Sequence, residues 1–262
     1  MGADGRLWGG EFMHARYTGF KRLAHFQSVA MLGGAQAMRE PWRNTFAHLA
    51  QALGWERLER DYAGLEIVRY LGEKPTATLQ TMARRGLNSP LSSSCGRLFD
   101  AVAAAVGVCR ERVQHEGQAA IELEALAAPC FDAEASRAYP ARYQEEEGHG
   151  VLSWAPLWKG LLADLQLGVE SAVIAARFHQ GLAQAVAQVA RGLVKQHGLE
   201  EVVLSGGVFQ NRLLLEGVSD RLYKAGLQVH APIDLPANDG GLSLGQAAVA
   251  AALQRVKARG TT

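Results

Sequence analysis

Apolar and polar residues alternate irregularly at the start of the chain and then follow a helical spacing. Residues 6–31 mix apolar and polar positions with glycines and aromatic residues, which predicts two or three strands of an antiparallel sheet. Between about residues 40 and 85 the spacing of Trp42, Phe46 and Leu49 is typical of an amphipathic helix. Further helices are predicted near residues 61–71, 75–84, 94–107 and 117–127.

The second half of the chain has a clearer order of elements. Residues 129–150 are polar and rich in turn-forming residues, which predicts a loop or a connection between two lobes. The elements predicted after it are helices at 155–166 and 169–197, a strand at 201–204, a helix at 211–225, a strand at 227–230, a loop at 232–241 and a helix at 241–256. The last four regular elements alternate as strand, helix, strand and helix, which favours an α/β lobe.

The composition indicates a folded protein and narrows its partners. Of 262 residues, 48% are hydrophobic and 20% are charged, which is enough apolar surface for one large domain or two lobes. The net charge of +1 gives no general field for nucleic acid or for an anionic membrane. With no signal peptide and no apolar run of about 18 residues, we predict a cytoplasmic protein without a membrane segment. The three cysteines fit reduced thiols in that compartment.

A first candidate site lies in the stretch VVLSGGVFQNRLLLEGV, which begins at Val202. A strand runs into a Ser-Gly-Gly turn that opens a helix, so backbone N–H groups at Gly206 and Gly207 are available for a phosphate. Asn211, a few residues later, adds a side-chain amide. The alternative interpretation is a turn whose glycines only let the helix pack closely on its strand.

A second Gly-Gly pair occurs in the stretch PANDGGLSLGQAAVA. Asp239 precedes the glycines, and a carboxylate in such a loop can bind a metal ion or orient a phosphate through one. The alternative is that Asn238 or Asp239 caps the helix beginning near Leu242. Two such turns in one α/β module favour a shared cleft between the two loops.

A third group of candidates lies in the stretch SSSCGRLFDAVAAAVGV and the segment after it. Asp100 lies one helical turn after Gly96, so the two could approach a ligand together. The alternative for Asp100 is an exposed acidic residue or a salt-bridge partner. Gly117 and Gln118 open the next helix, where the backbone could reach a ribose. His179 lies in an apolar helix and is expected to be a hydrogen-bonded packing residue.

Seven segments together resemble the family of hydrogenase maturation carbamoyltransferases called HypF, in the C-terminal part of its TsaD-like domain. They are DGRLWGGEF, REPWR, SSSCGRLFDAVAA, EGQAAIELE, ARFHQGLA, LSGGVFQN and NDGGLSLGQAA, and they follow the family's order along nearly the whole chain. The resemblance implies the α/β fold of the actin-like ATPase superfamily, with two lobes around a nucleotide. Residues 1–150 would be the remainder of the first lobe, incomplete at the N-terminus and with a helical insertion at about 35–90. Residues 151–262 would be the second lobe.

The resemblance also assigns roles to individual residues. It implies that Asp100 contacts the ribose and that Gly117 or Gln118 adds a backbone contact beside it. The other implied roles are nucleotide cradling by Gly206, Gly207 and Asn211 and metal coordination by Asp239. The metal would be a divalent ion, Zn, Fe or Mg, most of whose ligands are missing from this chain.

The implied activity is transfer of a carbamoyl group from carbamoyl adenylate, made from carbamoyl phosphate and ATP, to the C-terminal cysteine of the partner HypE. The modules that make the adenylate are absent here, so the chain is expected to be a C-terminal fragment without full activity. The alternatives are a non-catalytic docking lobe, half of a split enzyme, or an O-carbamoyltransferase of the same fold. The segments LWGGEF and REPWR argue against the last of these.

Overall fold

The computed structural model describes residues 1–146 and 148–259 as a mixed α/β structure. The strands within these residues are β1 (Glu11–Arg16), β2 (Gly19–Phe26), β3 (Val29–Ala30), β4 (Leu91–Ser92), β5 (Arg142–Glu146), β6 (His149–Ser153), β7 (Glu201–Val203) and β8 (Gln228–His230). The helices are α1 (Gln36–Arg39), α2 (Pro41–Leu53), α3 (Trp55–Asp61), α4 (Glu66–Gly72), α5 (Thr76–Arg85), α6 (Cys95–Ala105), α7 (Gln118–Ala127), α8 (Ala155–Gln166), α9 (Ser171–His197), α10 (Arg212–Tyr223) and α11 (Leu242–Arg259).

The main sheet has four strands in the order β1-β2-β6-β5. β1 and β2 pair antiparallel as predicted, but β2 and β6 pair parallel, so the sheet is mixed. The prediction of a loop over residues 129–150 was wrong, because β5 and the first residues of β6 fall within it. β5 is a polar strand at the sheet edge and carries little of the apolar alternation by which strands are recognised.

The helical region after β3 packs mainly against α6 through α2. The buried faces of Trp42, Phe46 and Leu49 confirm the helical spacing predicted for this segment. The helix predicted near 61–71 corresponds to α4, which begins only at Glu66, and α3 was not predicted as a separate helix. Gly54, with φ +86°, separates α2 from α3, because a side chain at this backbone conformation would be strained.

The long helix α9 is the centre of the second half, buried along most of its length and packed against α6, α7 and α10. Phe99 of α6 meets Phe178 of α9 edge to face, with ring centroids 5.0 Å apart. Tyr139 lies directly on α9, since a Cβ added to Gly181 would come within 2.3 Å of the Tyr139 carbonyl oxygen. A glycine is therefore required where this segment crosses the helix.

The C-terminal module has the predicted order of strand, helix, strand and helix. β7 and β8 pair parallel, and α10 connects them. A 3₁₀ helix at Gly207–Gln210 precedes α10, and another at Asp239–Gly241 precedes α11. α11 is largely exposed over its described side chains, including apolar ones such as Leu242, Leu253 and Val256. No helix in the described part of the chain is both long and apolar enough to cross a membrane.

Candidate functional site

Asp100 is buried on α6 and pairs with an arginine of the same helix. Ser94 caps this helix by accepting a hydrogen bond from the backbone N–H of Arg97 at 3.4 Å. The guanidinium Nη1 of Arg97 lies 2.8 Å from the Asp100 Oδ2, but the angles between them do not make a hydrogen bond. Asp100 is only 4% exposed. It is thus a salt-bridge partner, as one alternative held, but not an exposed one.

Burial raises the pKa of Asp100 from 3.8 to about 6. The neighbouring Arg97 guanidinium opposes this rise, and the negative charge of Glu116 adds to it. At neutral pH the carboxylate is mostly ionised in an environment that disfavours the charge. Such a group gains from any ligand that donates hydrogen bonds to it.

Gly117 and Gln118 lie at the start of α7 and follow Glu116, whose charge acts on Asp100. Gly117 has φ +77°, a left-handed conformation that suits glycine at this position. The side chain of Gln118 accepts a hydrogen bond from the Gln114 N–H at 2.7 Å and donates one to Glu122 at 2.8 Å. The Gln118 side chain therefore orders the helix start. The Gln118 N–H donates to the His115 carbonyl at 3.4 Å, whereas the Gly117 N–H has no acceptor among the described residues and is left for a ligand.

The two Gly-Gly loops face one another. The N–H of Gly206 donates to the Ala237 carbonyl at 2.8 Å, and an added Cβ on Gly207 would lie 3.6 Å from the Asn238 Cβ. The Gly207 N–H has no acceptor among the described residues. The Gly206 amide therefore joins the two loops, and the Gly207 N–H remains free to donate to a ligand.

Asn238 caps the second loop, since its Oδ1 accepts a hydrogen bond from the Gly240 N–H at 3.1 Å. Asp239 is exposed beside it. In residues 1–146 and 148–259 no cluster of three or more His, Cys, Asp or Glu side chains is arranged to hold a metal ion. The described side chains alone therefore do not fit a divalent cation at Asp239.

Asn211 is buried and makes hydrogen bonds through both ends of its amide. Its Oδ1 caps α10 by accepting from the Leu214 N–H at 2.8 Å, and its Nδ2 lies 3.1 Å from His179 Nε2. The other ring nitrogen, Nδ1, lies 2.8 Å from the Ala175 carbonyl oxygen, so the network assigns the proton to Nδ1 and leaves Nε2 to accept. Burial lowers the pKa of His179 to about 4 and keeps the ring neutral. His179 is a hydrogen-bonded packing residue, as expected.

Two contacts join the Asp100 helix to the Gly-Gly loops. The His179 ring lies 5.3 Å from the ring of Phe99, which is next to Asp100, and its other edge reaches Asn211. Glu124 of α7 accepts a hydrogen bond from the Leu213 N–H at 3.0 Å, at the start of α10. The candidates therefore form an Asp100 group and a Gly-Gly group that are connected through α7 and α9.

Sequence reasoning missed Arg97 and Glu124. Arg97 is three residues before Asp100, and the spacing of opposite charges by one helical turn was the available signal. Glu124 looks like an ordinary helix-surface residue in EGQAAIELE, and its contact is with a helix 89 residues away. No local pattern indicates that contact.

The segment LWGGEF forms a network around Arg22 of β2. The guanidinium lies 2.6 Å from Glu11 and 2.8 Å from Asp4, and it stacks over the Trp8 ring at 4.3 Å. The segment also contacts the start of α6, because the N–H groups of Ser93 and Cys95 donate to the carbonyls of Leu7 and Gly9 at 3.0 and 3.1 Å.

Comparison with known proteins gives a consistent family. Residues 1–246 match the family model described as carbamoyltransferase, Kae1-like domain, second subdomain. The chain is 39% identical over 262 residues to carbamoyltransferase HypF of Rhodobacter capsulatus, covering 96% of this chain and 31% of that protein. It is 40% identical over 253 residues to a carbamoyltransferase HypF homologue of Cupriavidus necator, covering 96% of this chain and 62% of the relative.

Solved structures agree with this result. A full-length HypF in its phosphate- and nucleotide-bound form superposes with a TM-score of 0.81 at 32% identity, covering 95% of this chain and 31% of that one. HypF of T. kodakarensis gives a TM-score of 0.78 at 26% identity, covering 97% and 32%. The chain belongs to the HypF carbamoyltransferase family of hydrogenase maturation and corresponds to the second subdomain of its Kae1-like domain. It spans less than two thirds of the length of these relatives, and about a third for most of them.

The contact between His179 and Asn211 can be tested by a double-mutant cycle. His179→Phe keeps a ring but removes the acceptor, leaving a buried amide donor unpaired, so we expect a loss of about 1–3 kcal/mol in the free energy of unfolding. Asn211→Ser keeps a capping oxygen and removes that donor. Urea unfolding of the two single variants and the double variant should show a double variant clearly less destabilised than the sum. Strict additivity would contradict the contact.

Proposed function

We propose that this chain is the part of a HypF-type carbamoyltransferase that holds carbamoyl adenylate during transfer of the carbamoyl group to the C-terminal cysteine of a HypE-like protein. Its fold is proposed to be that of the actin-like ATPases, with residues 1–150 in one lobe and residues 151–262 in the other. The helical insertion at about 35–90 belongs to the first. ATP and carbamoyl phosphate are the proposed sources of the adenylate, which other modules of such a carbamoyltransferase would make.

The observation that carries the proposal is the pair of Gly-Gly loops, each before a helix, with an unused N–H at Gly207 between them. Helix starts with free N–H groups favour phosphate. One relative, a full-length HypF, was solved in a phosphate- and nucleotide-bound form, which supports phosphate and nucleotide as the ligand class here. We therefore assign Gly207, through its free N–H, to the phosphate side of the nucleotide. Gly206 is assigned to the turn that holds Gly207 there, because its own N–H donates to the Ala237 carbonyl and is not available to a phosphate as the sequence predicted.

Asp100 is proposed to accept hydrogen bonds from ribose hydroxyls, with the start of α7 at Gly117 and Gln118 beside it. The raised pKa supports this role, because a carboxylate that burial destabilises gains most from such donors. Asn211 is proposed to act mainly through its cap, which fixes the start of α10 behind the Gly-Gly turn. In this arrangement the sugar lies at α6 and α7, and the phosphate lies at the two loops.

The nucleophile is proposed to come from the partner protein. In the transfer, a thiolate sulfur attacks the carbamoyl carbon, a C–S bond forms, the C–O bond to the adenylate phosphate breaks, and AMP leaves with the electron pair. The cysteines near the Asp100 group do not suit that role. Burial raises the pKa of Cys95 far above its ordinary range, and the pKa of Cys109 is raised to about 12, mainly by desolvation.

Asp239 is proposed to supply one ligand of a divalent ion, Zn, Fe or Mg, whose remaining ligands lie outside this chain. Because the described residues do not complete that site, the roles of Gly207 and Asp100 are assigned without a metal. Backbone N–H donors alone provide a preorganised positive field for a leaving phosphate.

The transfer can be tested by supplying the other proposed components of the reaction. We expect this chain, mixed with separately produced upstream HypF modules, HypE, ATP and carbamoyl phosphate, to add one carbamoyl group to the HypE C-terminal cysteine, read by intact-protein mass spectrometry. The same mixture without this chain is the control. A modified HypE in the control, or an unmodified HypE in a mixture where this chain is shown to bind ATP, would contradict the proposed role.

A docking lobe without catalysis is the second candidate, either alone or as half of a split enzyme. The observation that favours it is the exposed apolar surface of α11, including Leu242, Val249 and Leu253. Such surface on an 18-residue helix is typical of a contact with another protein unit. An O-carbamoyltransferase of the same fold is less well supported, because the chain matches HypF relatives over nearly its whole length.

A further inference from the structure

We propose that a groove in the helical region between α2, α3 and α5 binds a small organic anion with an apolar body. This insertion groove is a half-open cavity of about 490 Å³. Its floor includes Leu32, Phe46 and Trp55, and its rim includes three arginines, Arg57, Arg60 and Arg84. The volume lies within the range of about 300–1,000 Å³ that is usual for small-molecule sites. None of the residues proposed to bind nucleotide lines this groove.

The floor of the insertion groove is a fixed aromatic surface. Phe46 and Trp55 are almost fully buried, and their ring centroids are 4.9 Å apart. The indole N–H of Trp55 has no hydrogen-bond acceptor among the described residues. A floor of packed rings suits an aromatic or aliphatic ligand body more than a bare inorganic ion.

The rim of the insertion groove carries excess positive charge. Arg57 and Arg60 share one carboxylate, that of Asp61, at 3.2 and 2.8 Å. Arg84 has no ion-pair partner within residues 1–146 and 148–259. Glu56 is the one carboxylate in the lining, so three guanidinium groups face two carboxylates at most. The unpaired guanidinium of Arg84 is therefore available to an anionic group of the ligand.

The charge and the apolar floor together define the ligand class. A carboxylate or sulfonate at one end would pair with Arg84, and the apolar end would cover the rings of the floor. This ligand would bind at the helical insertion, whereas the proposed nucleotide site lies at the Gly-Gly loops. Binding at the insertion groove can therefore be measured independently of ATP.

Calorimetry with two matched probes tests the proposal. The 262-residue chain is titrated with naphthalene-2-carboxylate and with the neutral naphthalene-2-carboxamide. We expect the acid to bind about threefold to tenfold more tightly than the amide, as a partly exposed guanidinium–carboxylate contact would give. Arg84→Gln should bring the two affinities together. Arg85→Gln, an exposed arginine next to it that does not line the groove, should leave the preference unchanged.

A second pair of variants tests the location. Ala83→Trp places a large ring in the groove from an exposed position of α5, and Ala77→Trp adds the same ring to the same helix outside the groove. We expect the first to abolish naphthoate binding and the second to preserve it. The indole N–H signal of Trp55 in a heteronuclear NMR spectrum, assigned with Trp55→Phe, should shift on titration.

Three results would overturn the proposal. The first is that neither probe binds. The second is that Arg84→Gln and Arg85→Gln affect the acid equally. The third is a dimer in sedimentation that Ala83→Trp dissociates, because the groove would then be occupied by a second copy of the chain.

Discussion

Replacing Asp100 with asparagine is expected to remove a pH-dependent loss of stability. With Asp100 in place, its ionisation should lower the free energy of unfolding by about 3 kcal/mol as the pH rises from about 4 to 7. Burial raises the pKa of this carboxyl from 3.8 to about 6, so the folded chain binds the proton more tightly than the unfolded chain does. The stability associated with this proton is fully present below the unfolded pKa. It is lost as the pH rises through the folded pKa of about 6, and the asparagine variant has no such proton to lose.

The measurement is urea unfolding of both proteins at several pH values across this window. The difference between their free energies of unfolding is plotted against pH, which cancels the contribution of other titrating groups such as His179. Asp220→Asn, which changes an exposed carboxylate on α10, is the control for replacing an acid by its amide. A difference for Asp100→Asn that does not change with pH would contradict a raised pKa at Asp100.

The same variant should lose ligand affinity while it gains relative stability at neutral pH. If Asp100 accepts hydrogen bonds from ribose hydroxyls, its replacement removes charge-assisted bonds, and we expect ATP to bind about tenfold more weakly or worse. A site that costs stability and supports binding is typical of functional residues. Unchanged ATP binding would leave Asp100 as an ion-pair partner of Arg97 and nothing more.

Arg177→Leu is expected to lower the free energy of unfolding by about 3–5 kcal/mol, because it leaves buried carboxylates without their counter-charge. The Arg177 side chain lies 2.7 Å from Glu134 and 2.6 Å from Asp164, and all three side chains are largely buried. The hydroxyl of Tyr139 also donates to Asp164. This network fixes the segment before β5 onto α9.

Arg191→Leu is the matched control, since Arg191 is exposed on the same helix. Its cost should stay within about 0.5 kcal/mol of zero. Urea is the denaturant of choice, because guanidinium chloride is a salt and its ions would screen the ion pairs being measured. A loss at Arg177 no larger than that at Arg191 would show that the network contributes little to stability.

Much of the second half of the fold could be predicted from sequence alone. The helix predicted at 155–166 has those bounds in the structure, with Pro156 in its first turn and Gly168 just beyond its end. Pro and Gly mark helix ends through backbone geometry, which is a local property. The strand–helix–strand order around Ser205–Gly207 was likewise predictable, because each element has its own period of apolar residues.

The mixed sheet could not be predicted in the same way. β6 pairs with β2, more than a hundred residues earlier in the chain, and this partner is chosen by tertiary packing. β5 is polar, so its strand conformation depends on its pairing with β6. The local sequence pattern shows neither the pairing of β6 with β2 nor that of β5 with β6. For this reason residues 129–150 were predicted as a loop.

The candidate site shows the same division. The turn at Gly206 and the cap at Asn211 follow from local sequence, but the second hydrogen bond of Asn211 goes to His179, 32 residues away on α9. The burial of Asp100 and the effect of Glu116 on its pKa depend on how α7 packs against α6. Sequence therefore identified candidate residues, and the structure determined which of their atoms remain free.

The free N–H of Gly207 offers the most direct test of the nucleotide-binding claim. Calorimetric titration with ATP is carried out on the wild-type chain, Gly207→Ala and Gly207→Pro. Alanine keeps the N–H, and its Cβ would be in ordinary contact with Asn238 at 3.6 Å. Proline removes the N–H, and its ring is tolerated because residue 207 is the first position of a 3₁₀ helix.

If this amide contacts the phosphate, the alanine variant should bind ATP within about threefold of wild type and the proline variant at least about tenfold more weakly, with unchanged thermal unfolding. Equal ATP affinity for all three proteins, or no ATP binding by the folded wild-type chain, would contradict a phosphate site at the Gly-Gly turn.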